Sequence, residues 1–214
     1  VDKSELVKYA AEDADVTWQL MQKFIPLMDQ KEVRTLFEKI EMPLVPVLSA
    51  MENNGVSLNS NTLKELSVDL EHEIKKLEER VFEQAGEVFN LSSPKQLGVV
   101  LFENMKIDEK IKKTKSGQYS TSEETLQKLA GKHSIIDNIL EFRQLKKLKS
   151  TYVDALPELV NQNTNKIHTT YSQAVAATGR LSSVNPNLQN IPIKTEKGRK
   201  VREAFIASEG NELY

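Results

Sequence analysis

The 214-residue sequence contains no cysteine, which excludes disulfides and thiolate metal sites and fits a reducing, cytoplasmic setting. Its three histidines, His72, His133 and His168, are too scattered to make a metal cluster. Long hydrophobic runs are also missing. The longest apolar stretches are a few residues, against the roughly 20 that a bilayer span needs, so no membrane partner is expected. No secretory leader pattern is visible and the first residue is valine, not methionine. What is present is 39% hydrophobic and 28% charged residues, the balance of a helix-rich chain long enough for one or two domains with a real core.

The net charge of −2 conceals segregation. Residues 106–115 (KIDEKIKKTK) carry a net +3, Arg143–Lys149 (RQLKKLK) +4 and Lys194–Arg202 (KTEKGRKVR) +4, which leaves −13 for the remainder. A solvated helix face mixes both signs, whereas sequestered positive runs suit a polyanion. Taken singly, each run also reads as an ordinary solvated face.

Helical periodicity dominates the chain. Residues 4–28 place Leu6, Tyr9, Ala10, Val16, Leu20, Met21 and Phe24 on one period, with Pro26 expected to end the helix. Residues 31–53 predict a second helix, kinked or interrupted at Pro43 and Pro46, before the turn signal Asn53-Asn54-Gly55. From Asn61 to Gly86, Leu63, Leu66, Leu70, Ile74, Leu77, Val81 and Ala85 form a long one-sided stripe. A second stripe uses Ile135, Ile139, Phe142, Leu145, Leu148, Tyr152 and Leu156. Two long helices with single narrow stripes pack most simply as an antiparallel pair. Between them, Ser93-Pro94-Lys95-Gln96 and Thr121-Ser122-Glu123-Glu124 read as capping boxes, the second with Thr121 as the cap. The basic loop 109–120, with Lys110, Lys112, Lys113 and Lys115, then lies at the tip of a helical stalk, where phosphate contact needs charge and reach but no base specificity. Past Pro157, residues 167–173 alternate as a strand, and Val201–Ala207 reads as a strand or a helix-to-strand passage.

One segment fits none of these periods. Residues 177–192 (ATGRLSSVNPNLQNIP) hold one arginine between Gly and Leu and side-chain amides around a proline. Gly179 and Pro186 fix the backbone there, so polar groups are presented. One arginine with amides suits the acceptors on the minor-groove edge of base pairs; a polar loop capping its own backbone is the alternative. The wording ATGRLSS-x-x-PNLQNIP resembles, nearly letter for letter, the segment that opens the palm of the family A DNA polymerases. Further motifs run in family order: VKYAAEDADVTWQL at 7–20, EKIEMPLVPVLSAMENNGV at 38–56, FNLSSPKQL at 89–97, STSEETL at 120–126, EFRQLKKLKSTY at 141–152 and GRKVREAFIA at 198–207.

The resemblance implies a mainly α fold with long antiparallel thumb helices and a small β element from an incomplete palm. Residues 1–30 would be the last helix of a 3′–5′ exonuclease domain, 31–60 a linker into the polymerase domain, 61–159 the thumb and 160–214 the first palm segment. It implies that the parent performs template-directed nucleotidyl transfer with Mg²⁺, on primer–template duplex and deoxynucleoside triphosphates. The first metal-binding aspartate of the palm is expected beyond Tyr214, so the chain itself is expected to be a catalytically incomplete piece. Arg180 matches the family arginine that contacts the minor-groove edge at the primer terminus. Asn187 and Gln189 would support the primer–template, and Arg143, Lys147, Thr121, Lys112, Lys113 and Lys115 would hold the duplex from the thumb. Lys194 departs from the arginine common at that position. Tyr9 and Asp13, four apart on one helix face, match an exonuclease tyrosine and a metal-ligating carboxylate, which needs upstream carboxylates to hold metal. Exposed palm edges raise self-association. A non-catalytic helical DNA-binding or scaffold protein is the alternative reading.

Overall fold

A computed structural model of the chain describes residues 2–108, 110–111, 113–114, 117–208 and 210–212. It is mainly α, with short antiparallel strands. In chain order it runs α1 (Lys3–Gln30), α2 (Arg34–Leu36), α3 (Met42–Asn54), β1 (Val56–Leu58), α4 (Ser60–Ala85), α5 (Pro94–Val99) and α6 (Glu123–Gln127). Then follow α7 (Ser134–Leu148), α8 (Ala155–Glu158), β2 (Lys166–Ile167), β3 (Thr170–Ser172), β4 (Ser182–Val184), α9 (Glu196–Glu203) and β5 (Phe205–Ile206). Three helices widen into π turns, at Phe37–Glu41, Val100–Asn104 and Lys149–Val153.

Two compact units emerge. One holds the residues up to Gly55 together with Thr169–Val184; the other holds Val56–His168 and the residues from Asn185 on.

In the first unit, α1 continues four residues past Pro26 to Gln30, contrary to the expected stop. The ring removes only the donor for the Gln22 carbonyl, and on so exposed a helix solvent can serve that group. The α1 stripe is not buried: Trp18 and Phe24 are 55% and 50% exposed. Pro43 and Pro46 lie inside a helical run that is unbroken from Arg34 to Asn54; the break comes earlier, at Lys31–Val33, and separates that run from α1. Pro43 cannot donate to the Lys39 carbonyl, which lies within the π turn that ends two residues before it. β3 pairs antiparallel with β4 in the register Tyr171↔Ser183. β4 lies inside the segment expected to be irregular, and the expected strand 167–173 is broken at His168–Thr169. The break has a local cause: the buried Thr169 hydroxyl bonds Ser183 Oγ at 2.7 Å and the Val184 carbonyl at 3.0 Å, which commits β3 to β4.

In the second unit the expected stripes are the core. Leu63, Leu66, Leu70, Ile74, Leu77 and Val81 of α4 are buried against Ile135, Ile139, Phe142, Leu145 and Leu148 of α7. The helices are antiparallel: Gln84 near the end of α4 bonds Ser134 and Asn138 at the start of α7, while Ser67 near the start of α4 bonds Asp154 beyond its end. Asn59 caps α4 by accepting from the Asn61 and Thr62 amides, and left-handed Gly86 ends it. Ser93 caps α5 as expected, but Gln96 completes no box; its side-chain Oε1 accepts from the Asn90 backbone amide instead. The α6 cap is Ser122, not Thr121, because Thr121 is turned inward and 5% exposed.

Described residues past Pro157 in this unit join the core. Ile167, Val201 and Ala204 are buried in the same core. β1, a strand the sequence pattern did not reveal, is the centre of a sheet ordered β2-β1-β5, with Val56 opposite Ile167 and Leu58 opposite Phe205. α9 passes directly into β5, as the pattern of 201–207 allowed.

Candidate nucleic-acid interface

The outward face of α7 carries the charge. Burial in a helix with this stripe leaves Arg143, Lys146 and Lys147 on the remaining sides, and each is engaged differently. Arg143 is half-buried and donates to Thr121 twice, Nη1 to the carbonyl at 2.5 Å and Nη2 to Oγ1 at 3.3 Å. Burial draws its guanidinium below the ordinary value, with the Glu123 carboxylate opposing the shift. Thr121 therefore fixes Arg143 and the loop before α6. Lys146 reaches Ser92 Oγ at 3.0 Å and stands 5.2 Å from the Phe142 ring. Lys149, first residue of the π turn, turns inward, to Asp154 just past that turn at 2.8 Å and to Glu71 of α4 at 3.3 Å. Among the described residues only Lys147 of the four is exposed with no ion pair or hydrogen bond of its side chain.

Two grooves meet at Arg143 and Lys147. The larger, about 1240 Å³, lies between α7, the loop Pro186–Pro192 and α9, and is lined also by Gln144, Asn187, Asn190, Thr195, Lys197 and Lys200. The Pro186–Pro192 loop is held by Tyr152, whose hydroxyl donates to the Asn190 carbonyl at 2.6 Å. Burial pushes the Tyr152 phenol up, which keeps it a donor. Asn187 turns its own loop, accepting from the Gln189 amide at 3.0 Å. α9 closes on the loop through Gly198, whose missing side chain leaves room for Pro192. Lys197 pairs with Glu73 of α4.

The smaller groove, about 750 Å³, is rich in hydroxyls: Ser92, Thr114, Ser120, Ser122 and Ser150 line it with Lys146. Beside it the basic loop folds back, with Thr114 N donating to the Gln118 carbonyl at 2.7 Å. Lys113 pairs with Glu103 at 2.7 Å and lies 5.2 Å from the Tyr119 ring, and the hydrogen bond to Glu103 raises its ammonium above the ordinary value. Lys112 and Lys115 lie outside the described residues.

The family model for DNA polymerase family A matches residues 60–214. The chain belongs to DNA polymerase family A. It is 51% identical over 201 residues to the DNA polymerase I of Synechocystis, covering 93% of this chain and 20% of that protein. It is 48% identical over 190 residues to the DNA polymerase I of Bacillus subtilis, covering 89% of this chain and 21% of that protein. A solved POL domain of Pol1 from M. smegmatis, in complex with DNA primer-template and dNTP, superposes with a TM-score of 0.76 at 39% identity, over 86% of this chain and 32% of that one. The chain thus spans about a fifth of the length of the curated relatives it matches.

Within the family A chain, the expected site residues separate. Arg143, Lys147 and Asn187 line one groove of the second unit, and exposed Gln189 follows on the same loop without lining it. Arg180 belongs to the first unit, exposed in the β3–β4 connection after left-handed Gly179. Tyr9 and Asp13 are exposed on α1. Among the described residues no three His, Asp or Glu side chains converge on a cation site, so the carboxylates here do not by themselves fit a two-metal centre. No helix among them is long and apolar enough to cross a membrane. Sequence reading missed Tyr152 as the clamp on the Pro186–Pro192 loop, because a tyrosine on a core stripe signals only burial.

Proposed function

We propose that this chain is the duplex-holding part of a template-directed DNA polymerase, and that the whole protein joins deoxynucleotides to a primer. Its residues would bind and orient primer–template. The metal chemistry, which we expect to be that of Mg²⁺, would be supplied where carboxylates beyond the described residues complete a site. The observation that carries this reading is the convergence of Arg143, Lys147, Asn187 and Lys200 on one groove in a family A chain. Hydroxyls and ammonium groups in the neighbouring groove have the donor chemistry that phosphate oxygens take. Arg180, always charged and forked, would donate to purine N3 or pyrimidine O2 at the primer terminus, acceptors that every Watson–Crick pair presents. We assign residues 1–30, 31–60, 61–159 and 160–214 to the exonuclease end, linker, thumb and palm opening that the resemblance implies.

The test is a salt titration of duplex binding by this chain. If about four phosphates are neutralised, log K should fall against log salt with a slope near −3.6, at about −0.9 per contact, and random duplexes should bind alike. Affinity that does not respond to salt would sink the proposal.

A further inference from the structure

The connection that carries Arg180 is poorly supported from within. It runs from Gln173 to Leu181, and the Gly179 amide bonds the Ala176 carbonyl at 3.1 Å as its one backbone turn among the described residues. Its fixed points come from the helix packed beside it in the same unit. Glu52 near the end of α3 accepts from the Tyr171 amide at 2.6 Å, on the edge of β3. Glu41 closes the π turn Phe37–Glu41 and takes Gln173 Nε2 twice, on its carboxylate at 2.5 Å and its carbonyl at 3.0 Å. Gln173 is the first residue after β3, so Glu41 grips the connection where it leaves the ribbon. Charge-assisted bonds of this kind are short and directional, which suits them to fixing a loop's departure angle.

From this geometry we propose that Glu41 and Glu52 are positioning residues for Arg180, holding the β3–β4 ribbon so that the guanidinium reaches the primer-terminal base pair. The π turn is part of the device, because it sets the rotation at which Glu41 faces Gln173. The proposal rests on the assignment of Arg180 to the primer terminus. A carboxylate acting only on fold stability would lower stability and affinity together. One acting through Arg180 slows nucleotide addition on bound primer and does nothing further once Arg180 is gone.

The experiment is a mutant cycle in the full-length polymerase carrying this segment, reading the single-turnover rate of nucleotide addition and duplex affinity separately. Arg180→Ala should slow addition by about ten- to a hundredfold. Glu41→Ala and Glu52→Ala should each slow it by about threefold to tenfold, with duplex affinity within about twofold of wild type. Glu41→Gln and Glu52→Gln keep an acceptor oxygen and should recover most of the rate. Glu41→Ala added to Arg180→Ala should cost nothing more. Gln173→Ala removes the same contact from the loop side and serves where Glu41→Ala folds poorly. Additive losses in the cycle, or alanine variants as fast as wild type, would overturn the positioning role and leave that of Arg180 standing. An Arg180→Ala enzyme with wild-type rate would overturn both.

Discussion

At Gly198 two effects of opposite sign compete. A glycine inside α9 costs about 1 kcal/mol of helix stability relative to alanine, so an alanine should help. Yet a Cβ there would meet the Pro192 carbonyl oxygen at 2.7 Å, Pro192 Cβ at 2.8 Å and its carbonyl carbon at 3.0 Å. Two of those atoms are backbone and cannot swing aside as a side-chain tip would. Overpacking of this kind costs about 1–3 kcal/mol and should win. Gly198→Ala is therefore expected to lower the urea midpoint at unchanged m-value, and to weaken duplex binding as α9 moves off the Pro186–Pro192 loop. A midpoint at or above wild type would mean that Pro192 yields freely. Nothing in TEKGRKVRE signals this, because the contact depends on a loop whose path the local sequence does not encode.

The elements that read well from sequence are those with a long period: every α4 position expected on its stripe from Leu63 to Val81 is buried, and α7 behaves likewise. Short elements read poorly. β1 is three residues between Gly55 and Asn59, too few for an alternation to show, and β4 hides in a polar stretch because it is held by pairing with β3 and by the Thr169 hydroxyl on Ser183, not by an apolar face. The candidate site was legible by residue type and not by role, since a basic run gives no sign of which cation turns inward. Lys149 is the example, because the π turn beginning at it directs the ammonium to Asp154 and Glu71. Burial raises the Asp154 carboxyl, but hydrogen bonds from Lys149 and Ser67 outweigh it, and the net shift is downward. Lys149 is shifted up, first by its bond to Asp154. A depressed carboxyl contributes stability that is present above its unfolded value, about pH 3.9, and is lost as pH falls through the folded value. A raised ammonium contributes stability that is complete below about pH 10.4 and is lost as pH rises through its folded value. Asp154→Asn should flatten both limbs of a melting temperature–pH profile, the alkaline one incompletely because Glu71 remains. Limbs as steep as wild type would show the pair to be idle.

For the molecule as a whole, the net charge of −2 opposes approach to DNA, so binding depends on where the positive groups stand and whether they are already engaged. The structure ranks them. Lys149 is committed to two carboxylates and Lys146 to Ser92 and the Phe142 ring, whereas Lys147 stands exposed where both grooves meet. A cation already paired inside the fold releases few counterions from DNA, because it has little charge left to offer a phosphate. Lys147→Ala should accordingly weaken binding to every duplex alike and make the salt slope shallower by about 0.9, one phosphate contact's share, with the melting temperature unchanged. Lys149→Ala should do the reverse, lowering the melting temperature while leaving the salt slope near its wild-type value. The comparison is made by fluorescence anisotropy on two unrelated duplexes across a salt series, alongside thermal unfolding. If Lys149→Ala flattened the slope as much as Lys147→Ala, the run Arg143–Lys149 would be acting as an undifferentiated positive patch, and the division of labour read from its side-chain partners would be wrong.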